Sequence, residues 1–336
     1  MKDNIMFEIS DIEIAVLTYN RKAYLEKMLE SLVAQTVSGF KISIFDNASD
    51  DGTDALVEDF ISKNPTQNIH YFKNEKNLGQ DGNFAKAVKN TSATYTIVSH
   101  DDDMFHPRFV EIALKILNKE KNISFLSSSY IMDKNAPDAN WSTSQVQTNY
   151  NAFDDIFDFL DFFVAGYRVN YASAIYRRDA LEARVYSKDY GKIGDRHIMV
   201  EATKYGRSAI MRDKNLFFHR DHDSSDSNNA SNPLPIKDIL AIHSYFRDVL
   251  KSANRLSSGW FYNFVYAEDI FKLLKFAKIE KRKARQELNK IISQRGGYKM
   301  LKLYLSYPCG DIFRFIIRLI VGSFKILRFE FTQKKV

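Results

Sequence analysis

The chain has 336 residues, net charge +6, one cysteine and an ordinary apolar fraction of 45%. Its 26 Phe and 18 Tyr supply ample core, and the length exceeds what one hydrophobic core serves. Cys309 alone excludes an intrachain disulfide framework, and residues 1–10 lack the apolar stretch of a secretory signal. The charge is uneven: residues 270–336 hold 17 Lys/Arg against 4 Asp/Glu, whereas the first 269 hold 31 against 38. A basic tail on an acidic body calls for an anionic partner, either a membrane surface or nucleic acid.

In chain order, Ile12–Leu17 reads as a strand broken at Thr18-Tyr19-Asn20-Arg21. A helix follows, with Leu25, Met28, Leu29, Leu32 and Val33 on one face. Lys41–Phe45 is a second strand, closed by the polar turn Asp46–Thr53, and Asp54–Lys63 a second helix. Ile69–Phe72 is a third strand, Asn74–Gly82 a loop rich in Asn and Gly, and Asn83–Lys89 a helix. The β-branched and aromatic run Tyr95–Val98 is a fourth, buried strand that leads through Ser99-His100 into Asp101-Asp102-Asp103. A helix with Phe109, Ile112, Ala113 and Ile116 on one face comes next. The alternation predicts an α/β fold, a mostly parallel sheet flanked by helices.

Beyond Asn118 the pattern loosens. Ile123–Leu126 and Ala172–Tyr176 read as extended, 133–150 as a polar loop and Phe153–Val164 as a helix. A helix opens at Gly194-Asp195 and stops at Gly206; Leu216–His219 is extended and enters a polar run ending at Pro233 and Pro235. The organisation expected is a regular half at 1–118, a looser half of the same domain at 119–235, and a basic helical extension at 236–336.

Three adjacent carboxylates at a strand's C-terminal end need explanation. Two of them about 5 Å apart repel by roughly 3 kcal/mol at an effective dielectric near 20. A solvated, helix-capping turn would relieve this, and so would a hard divalent cation, Mn2+ or Mg2+, shared with substrate phosphates. The position favours the cation, since open α/β sheets bind ligands at the C-terminal ends of their strands. Zinc is not expected, because no Cys pair or close His pair accompanies the acids.

Ile14–Asn20, Asp46–Thr53, Asn77-Leu78-Gly79 and Asp101–Asp103, in this order and spacing, resemble family 2 glycosyltransferases with the glycosyltransferase A fold, over residues 10–225. The resemblance implies an inverting glycosyltransferase that uses a nucleotide-diphosphate sugar on a glycan or lipid-linked saccharide, with a nucleotide-binding sheet, a nucleotide-sugar-binding half at 1–118 and an acceptor-binding and catalytic half at 119–235. It implies that Thr18, Asn20 and Asp46 hold the nucleotide, Asp46 at the base, while Asn77 and Gly79 shape the loop over ribose and diphosphate. Asp101 faces ribose or metal, Asp102 lies beside the donor, and Asp103 ligates the cation. The usual Leu-Asp-x-Asp-Asp reads Ser99-His100-Asp101-Asp102-Asp103 here, which leaves open which acid does which. Downstream, Asp195 stands where the family carries its general base, with Gly194 replacing an acid; capping its helix is the plainer role. His219-Arg220-Asp221-His222 resembles an Arg-x-His motif, so that His222 reaches metal or diphosphate and Arg220 neutralises phosphate.

Two rivals stay open on sequence: a nucleotidyltransferase, although no Gly-rich loop follows the first strand, and a non-catalytic basic module on nucleic acid or membrane. Nucleic acid is not the expected partner. Arg314, Arg318, Lys325 and Arg328 fall within about 80° of one another on a helical wheel, amid apolar residues. That pattern predicts a helix lying on an anionic membrane rather than spanning it, and hence a cytoplasmic, peripheral protein.

Overall fold

In a computed structural model of the protein, the structure describes residues 6–135, 137, 141–164, 167, 169–183, 190, 193–222, scattered positions between 238 and 249, and 333–336. The first half alternates as its apolar pattern requires: β1 (Ile12–Thr18), α1 (Lys22–Val33), β2 (Lys41–Asp46), α2 (Thr53–Lys63), β3 (Asn68–Lys73), α3 (Gly79–Asn90) and β4 (Tyr95–His100). After them come β5 (Met104–Phe105), α4 (Phe109–Lys119), β6 (Ile123–Ser128), β7 (Ile131–Asp133), β8 (Asn149–Phe153) and α5 (Ile156–Val164). The last described elements are β9 (Ile175–Arg177), α6 (Arg178–Glu182), α7 (Gly194–Ala202), β10 (Arg207–Met211), β11 (Phe217–Arg220) and β12 (Lys334–Lys335).

Nine strands form one sheet in the order β12-β8-β10-β6-β9-β4-β1-β2-β3. It is parallel from β3 to β4, as the crossover helices demand. Farther on it is mixed, because β9 runs antiparallel to both β4 and β6, and β8 antiparallel to β10. Both faces are covered, and alternation along β1 divides them. Ile12, Ile14 and Val16 join the large core with Leu25, Met28 and Leu29 of α1 and Ile112 and Ile116 of α4. Ala15 and Leu17 face the other way, with Phe45, Val98 and Ala87 of α3.

Several boundaries depart from expectation. α3 opens at Gly79, four residues before the expected start, because the Asn77 carboxamide accepts a hydrogen bond from Gly79 N at 2.7 Å and turns the chain there. Gly79 has φ +73° with nothing within 4 Å of a would-be Cβ, so conformation alone explains it. Residues 207–211, to which the pattern assigns no element, form β10, buried between β6 and β8. Gly206 is not the stop of α7, which ends at Ala202; a Cβ there would collide with the Asn122 carbonyl oxygen. The polar 133–150 loop contains the start of β8, and its own strand β7 precedes it.

The described positions between 238 and 249 are helical, with Ile242 and Phe246 buried. The amphipathic tail that carries Arg314, Arg318, Lys325 and Arg328 lies outside the described residues. Among the described residues no helix is long and apolar enough to cross a membrane.

Candidate active site

The strand ends of β1 and β2 are stitched together by their own polar residues. Asn20, at φ +51°, donates its backbone N–H to Ser49 Oγ at 2.9 Å, and its Oδ1 accepts from Asp50 N at 2.9 Å. Ser49 Oγ in turn donates to Asp46 Oδ1 at 2.6 Å. Asp46 is fully buried, and its second oxygen accepts from the Tyr71 hydroxyl at 2.5 Å. Burial and that carboxylate push the Tyr71 phenol far above its ordinary range. Asn47, the next residue, holds the neighbouring loop: its Nδ2 reaches Asn77 Oδ1 at 2.8 Å and its Oδ1 accepts from Leu78 N at 2.8 Å.

β4 emerges between β1 and β9, so its C-terminal acids meet the β1 loop. Thr18 Oγ1 donates to Asp101 Oδ2 at 2.7 Å. Arg21 Nη1 lies 2.9 Å from Asp102 Oδ2 and 3.5 Å from Asp101 Oδ1. Burial, then the Asp102 charge, push the Asp101 carboxyl up to about 7 despite these partners. For Asp102 burial works upward too, but His100, His222 and Arg21 outweigh it and hold the group below the usual range.

A second, three-stranded sheet, β5-β11-β7, brings the downstream motif onto the same acids. Phe218 pairs with Met104, so the residues that follow in β11 run back alongside Asp103. Arg220 N donates to Asp103 Oδ1 at 3.1 Å, and Arg220 Nε to the Asp102 carbonyl at 3.0 Å. The Arg220 guanidinium lies 5.1 Å from the centre of the Tyr24 ring, and His222 stacks on that ring. His222 Nε2 is 2.8 Å from Asp102 Oδ2, and His219 Nδ1 is 3.0 Å from Asp103 Oδ1. Burial alone would lower the His219 pKa; the Asp103 carboxylate raises it. An open cleft of about 580 Å3, lined by Asn20, Arg21, Lys22, Ala23, Tyr24 and Asp51, runs past the cluster.

Residues 13–184, half of the chain, match the family model described as Glycosyl transferase family 2. The chain belongs to glycosyl transferase family 2. Among its relatives, the abequosyltransferase RfbV of Salmonella typhimurium is 34% identical over 114 residues, 33% of this chain and 34% of that one. An uncharacterized glycosyltransferase of Methanocaldococcus jannaschii is 28% identical over 127 residues, 37% of this chain and 43% of its own length. The matched stretch thus spans less than half the length of these relatives. S. aureus TarS 1-349 in complex with UDP superposes with TM-score 0.55 at 15% identity, covering 95% of this chain and 88% of that one. The mannosyltransferase PcManGT from Pyrobaculum calidifontis, in complex with GDP-Man and Mn2+, gives 0.53 at 13% identity, covering 94% and 87%. The fold is accordingly the glycosyltransferase A fold.

Thr18, Asp101, Asp102 and Asp103 of the family 2 match gather in one cluster with Arg220 and His222, which come from beyond it, and Asn20, Asp46, Asn77 and Gly79 form the adjoining loops. Asp195 is the second residue of α7, after the Ile193 cap, and its charge raises the pKa of the buried Tyr176 beyond what burial alone does. It is therefore not the helix cap. Its neighbour Arg196 has its guanidinium 5.4 Å from the centre of the Phe163 ring.

The residues fit a divalent cation. Asp103 Oδ2 is buried and accepts no hydrogen bond, and the Asp101–Asp102 pair carries like charges in a desolvated place. Carboxylate oxygens suit Mn2+ or Mg2+. Among the described residues no three His, Cys, Asp or Glu side chains converge as a ready cage. Mg2+-type sites commonly take one or two carboxylates and complete themselves with substrate phosphates. Sequence reasoning missed Arg21, Tyr24 and His219. Arg21 stood in the quoted Thr18–Arg21 break, and its i+3 spacing to Tyr24 at the start of α1 was the available signal.

Proposed function

We propose that the chain is an inverting glycosyltransferase that moves a sugar from a nucleotide-diphosphate donor to a glycan or lipid-linked saccharide in surface polysaccharide or glycoconjugate synthesis. The observation that carries this reading is the buried Asp101–Asp103 cluster held against the β1 loop by Thr18 and Arg21, in a family 2 domain. TarS with UDP and PcManGT with GDP-Man and Mn2+, which share the fold, favour a nucleotide donor and a divalent cation.

In this reading the Asn20 and Asn77 loops flank the nucleoside. Asp46 keeps about one acceptor site beside the bonds it accepts from Ser49 N, Ser49 Oγ and the Tyr71 hydroxyl, since an ionised carboxylate offers about four. Asp101, Asp103 and His222 would hold Mn2+ or Mg2+. The cation, when bound, supplies charge neutralisation for the departing diphosphate. Arg220, packed against Tyr24 and bonded to the acid loop, offers a fixed positive charge beside it. Asp195 takes the acceptor hydroxyl proton onto its carboxylate as the new glycosidic bond forms and the nucleoside diphosphate leaves.

We also place the protein on the cytoplasmic face of the membrane, on the strength of its basic tail. Liposome co-sedimentation should compare the full chain with one in which Arg314, Arg318, Lys325 and Arg328 become Glu. Truncation would be a poor comparison, because it also removes β12. Equal pelleting of the two proteins on anionic vesicles would end the membrane reading.

The direct test of transfer chemistry is a thermal-unfolding screen of nucleoside diphosphates with and without Mn2+. A ligand at about 100 times its Kd stabilises the fold by about 2.7 kcal/mol. No shift with any nucleoside diphosphate, with or without the cation, would overturn the proposal.

A further inference from the structure

We propose that Arg21, anchored on Asp102, is a resident cation that keeps divalent metal off the neighbouring ligand Asp101 until a diphosphate draws it away, so that metal and nucleotide bind cooperatively. The inference rests on the proposed function and names a positioning residue of the same site. Its basis is a single nitrogen: Arg21 Nη1 lies 2.9 Å from Asp102 Oδ2 and 3.5 Å from Asp101 Oδ1. The two acidic side chains are 12% and 3% exposed, so the charge they see comes mainly from the protein. A metal ion on either acid would compete with the guanidinium for the same oxygens and repel it at close range.

Arg21 is placed to leave. Its side chain is one-third exposed and lines the open cleft. Its backbone stands outside α1, just after the left-handed Asn20, and its carbonyl accepts from Tyr24 N and Leu25 N at 2.9 and 3.0 Å. Those two bonds hold the first turn of α1 whatever the side chain does. Arg220 differs: it is 7% exposed, bonded through Nε and packed on Tyr24, so it stays.

A diphosphate is a suitable alternative partner, because the planar guanidinium fork matches phosphate oxygens bidentately. When the fork turns to phosphate, the carboxylate oxygens become free for metal. By linkage, whatever nucleotide gains in affinity from metal, metal gains equally from nucleotide.

Mn2+ binding to the full chain, followed by electron paramagnetic resonance of free Mn2+ without nucleotide, tests this. Arg21→Gln should bind Mn2+ at least about tenfold more tightly than wild type, and Arg21→Lys, with a point charge and no fork, should fall between. If Arg21→Gln fails to fold, a threefold or greater gain in Arg21→Lys supports the inference by itself. Mn2+ affinity unchanged within twofold in the folded variants overturns it. Failure of the underlying reading would look different: wild type would show no Mn2+-dependent thermal shift with UDP or GDP.

Discussion

Thr18 and Asp101, 83 residues apart in sequence, share a buried hydrogen bond of 2.7 Å that ties the end of β1 to the acids after β4. The pairing places Leu17 opposite His100, so each strand delivers its last side chains to one spot. Because the hydroxyl donates, it favours the ionised carboxylate, yet burial and Asp102 still hold Asp101 near 7. The site therefore stores unfavourable charge in the absence of a cation.

That charge has a pH signature. Asp101 is raised from an ordinary 3.8 to about 7, so between those values the folded state holds a proton the unfolded chain has lost. Metal-free protein should lose stability through this group as pH rises from about 4 to 7, and Asp101→Asn should remove the loss. Unfolding midpoints at pH 5 and pH 8 are the measurement. The variant should gain on wild type at pH 8, by an amount on the order of 2–4 kcal/mol, and little near pH 4.

Asp103 has one oxygen bonded to Arg220 N and one with no partner. Asp103→Ala should fold and lose Mn2+-dependent stabilisation by nucleoside diphosphates. Excess EDTA should abolish sugar transfer by wild type. Full transfer in EDTA would remove the cation from the reaction.

Asp195→Asn keeps the size and place of the side chain in the first turn of α7 but cannot accept a proton. Donor binding should be retained while transfer falls at least about 100-fold. Steady-state kinetics with a saturating donor separates the two. Glu201 is a poor substitute, since it is engaged by Lys204 and the Tyr245 hydroxyl.

Glu120 joins four elements at the far edge of the sheet, accepting from the Tyr150 hydroxyl at 2.8 Å, Lys334 Nζ at 2.7 Å and the Arg207 guanidinium. Burial alone would raise its pKa; Lys334, Tyr150 and Arg207 together hold it down at about 2. Its contribution is present above the ordinary value of 4.5 and is lost as pH falls from there toward 2. Glu120→Gln should cost about 3 kcal/mol at neutral pH, and hydrogen exchange should quicken at Lys334–Lys335.

What was legible followed from local pattern. The strands β1, β2 and β4 are buried along almost their whole length, the edge strand β3 alternates, and amphipathic helices separate them, so periodicity alone located them. The acids were legible because they end such a strand. β10 was not, because Arg207-Ser208-Ala209-Ile210-Met211 has weak β-propensity and gains its conformation only from the strands on either side. Arg21 read only as part of the break after the first strand, and the three-dimensional approach of β4 is what brings it to Asp102. The partners of Asp46 were hidden for the same reason: Tyr71 comes from the neighbouring strand, in a register that no single-chain pattern reveals.

The pairing of β12 with β8 bears on how the sheet meets other molecules. Lys334 lies opposite Tyr150 and Lys335 opposite Asn149, so two lysines cover the side of β8 that faces away from β10. An uncovered strand edge presents unpaired N–H and C=O groups and templates pairing with another chain, and lysine on an edge strand opposes such pairing. Releasing β12 would reopen the Asn149–Tyr150 edge and favour self-association through it.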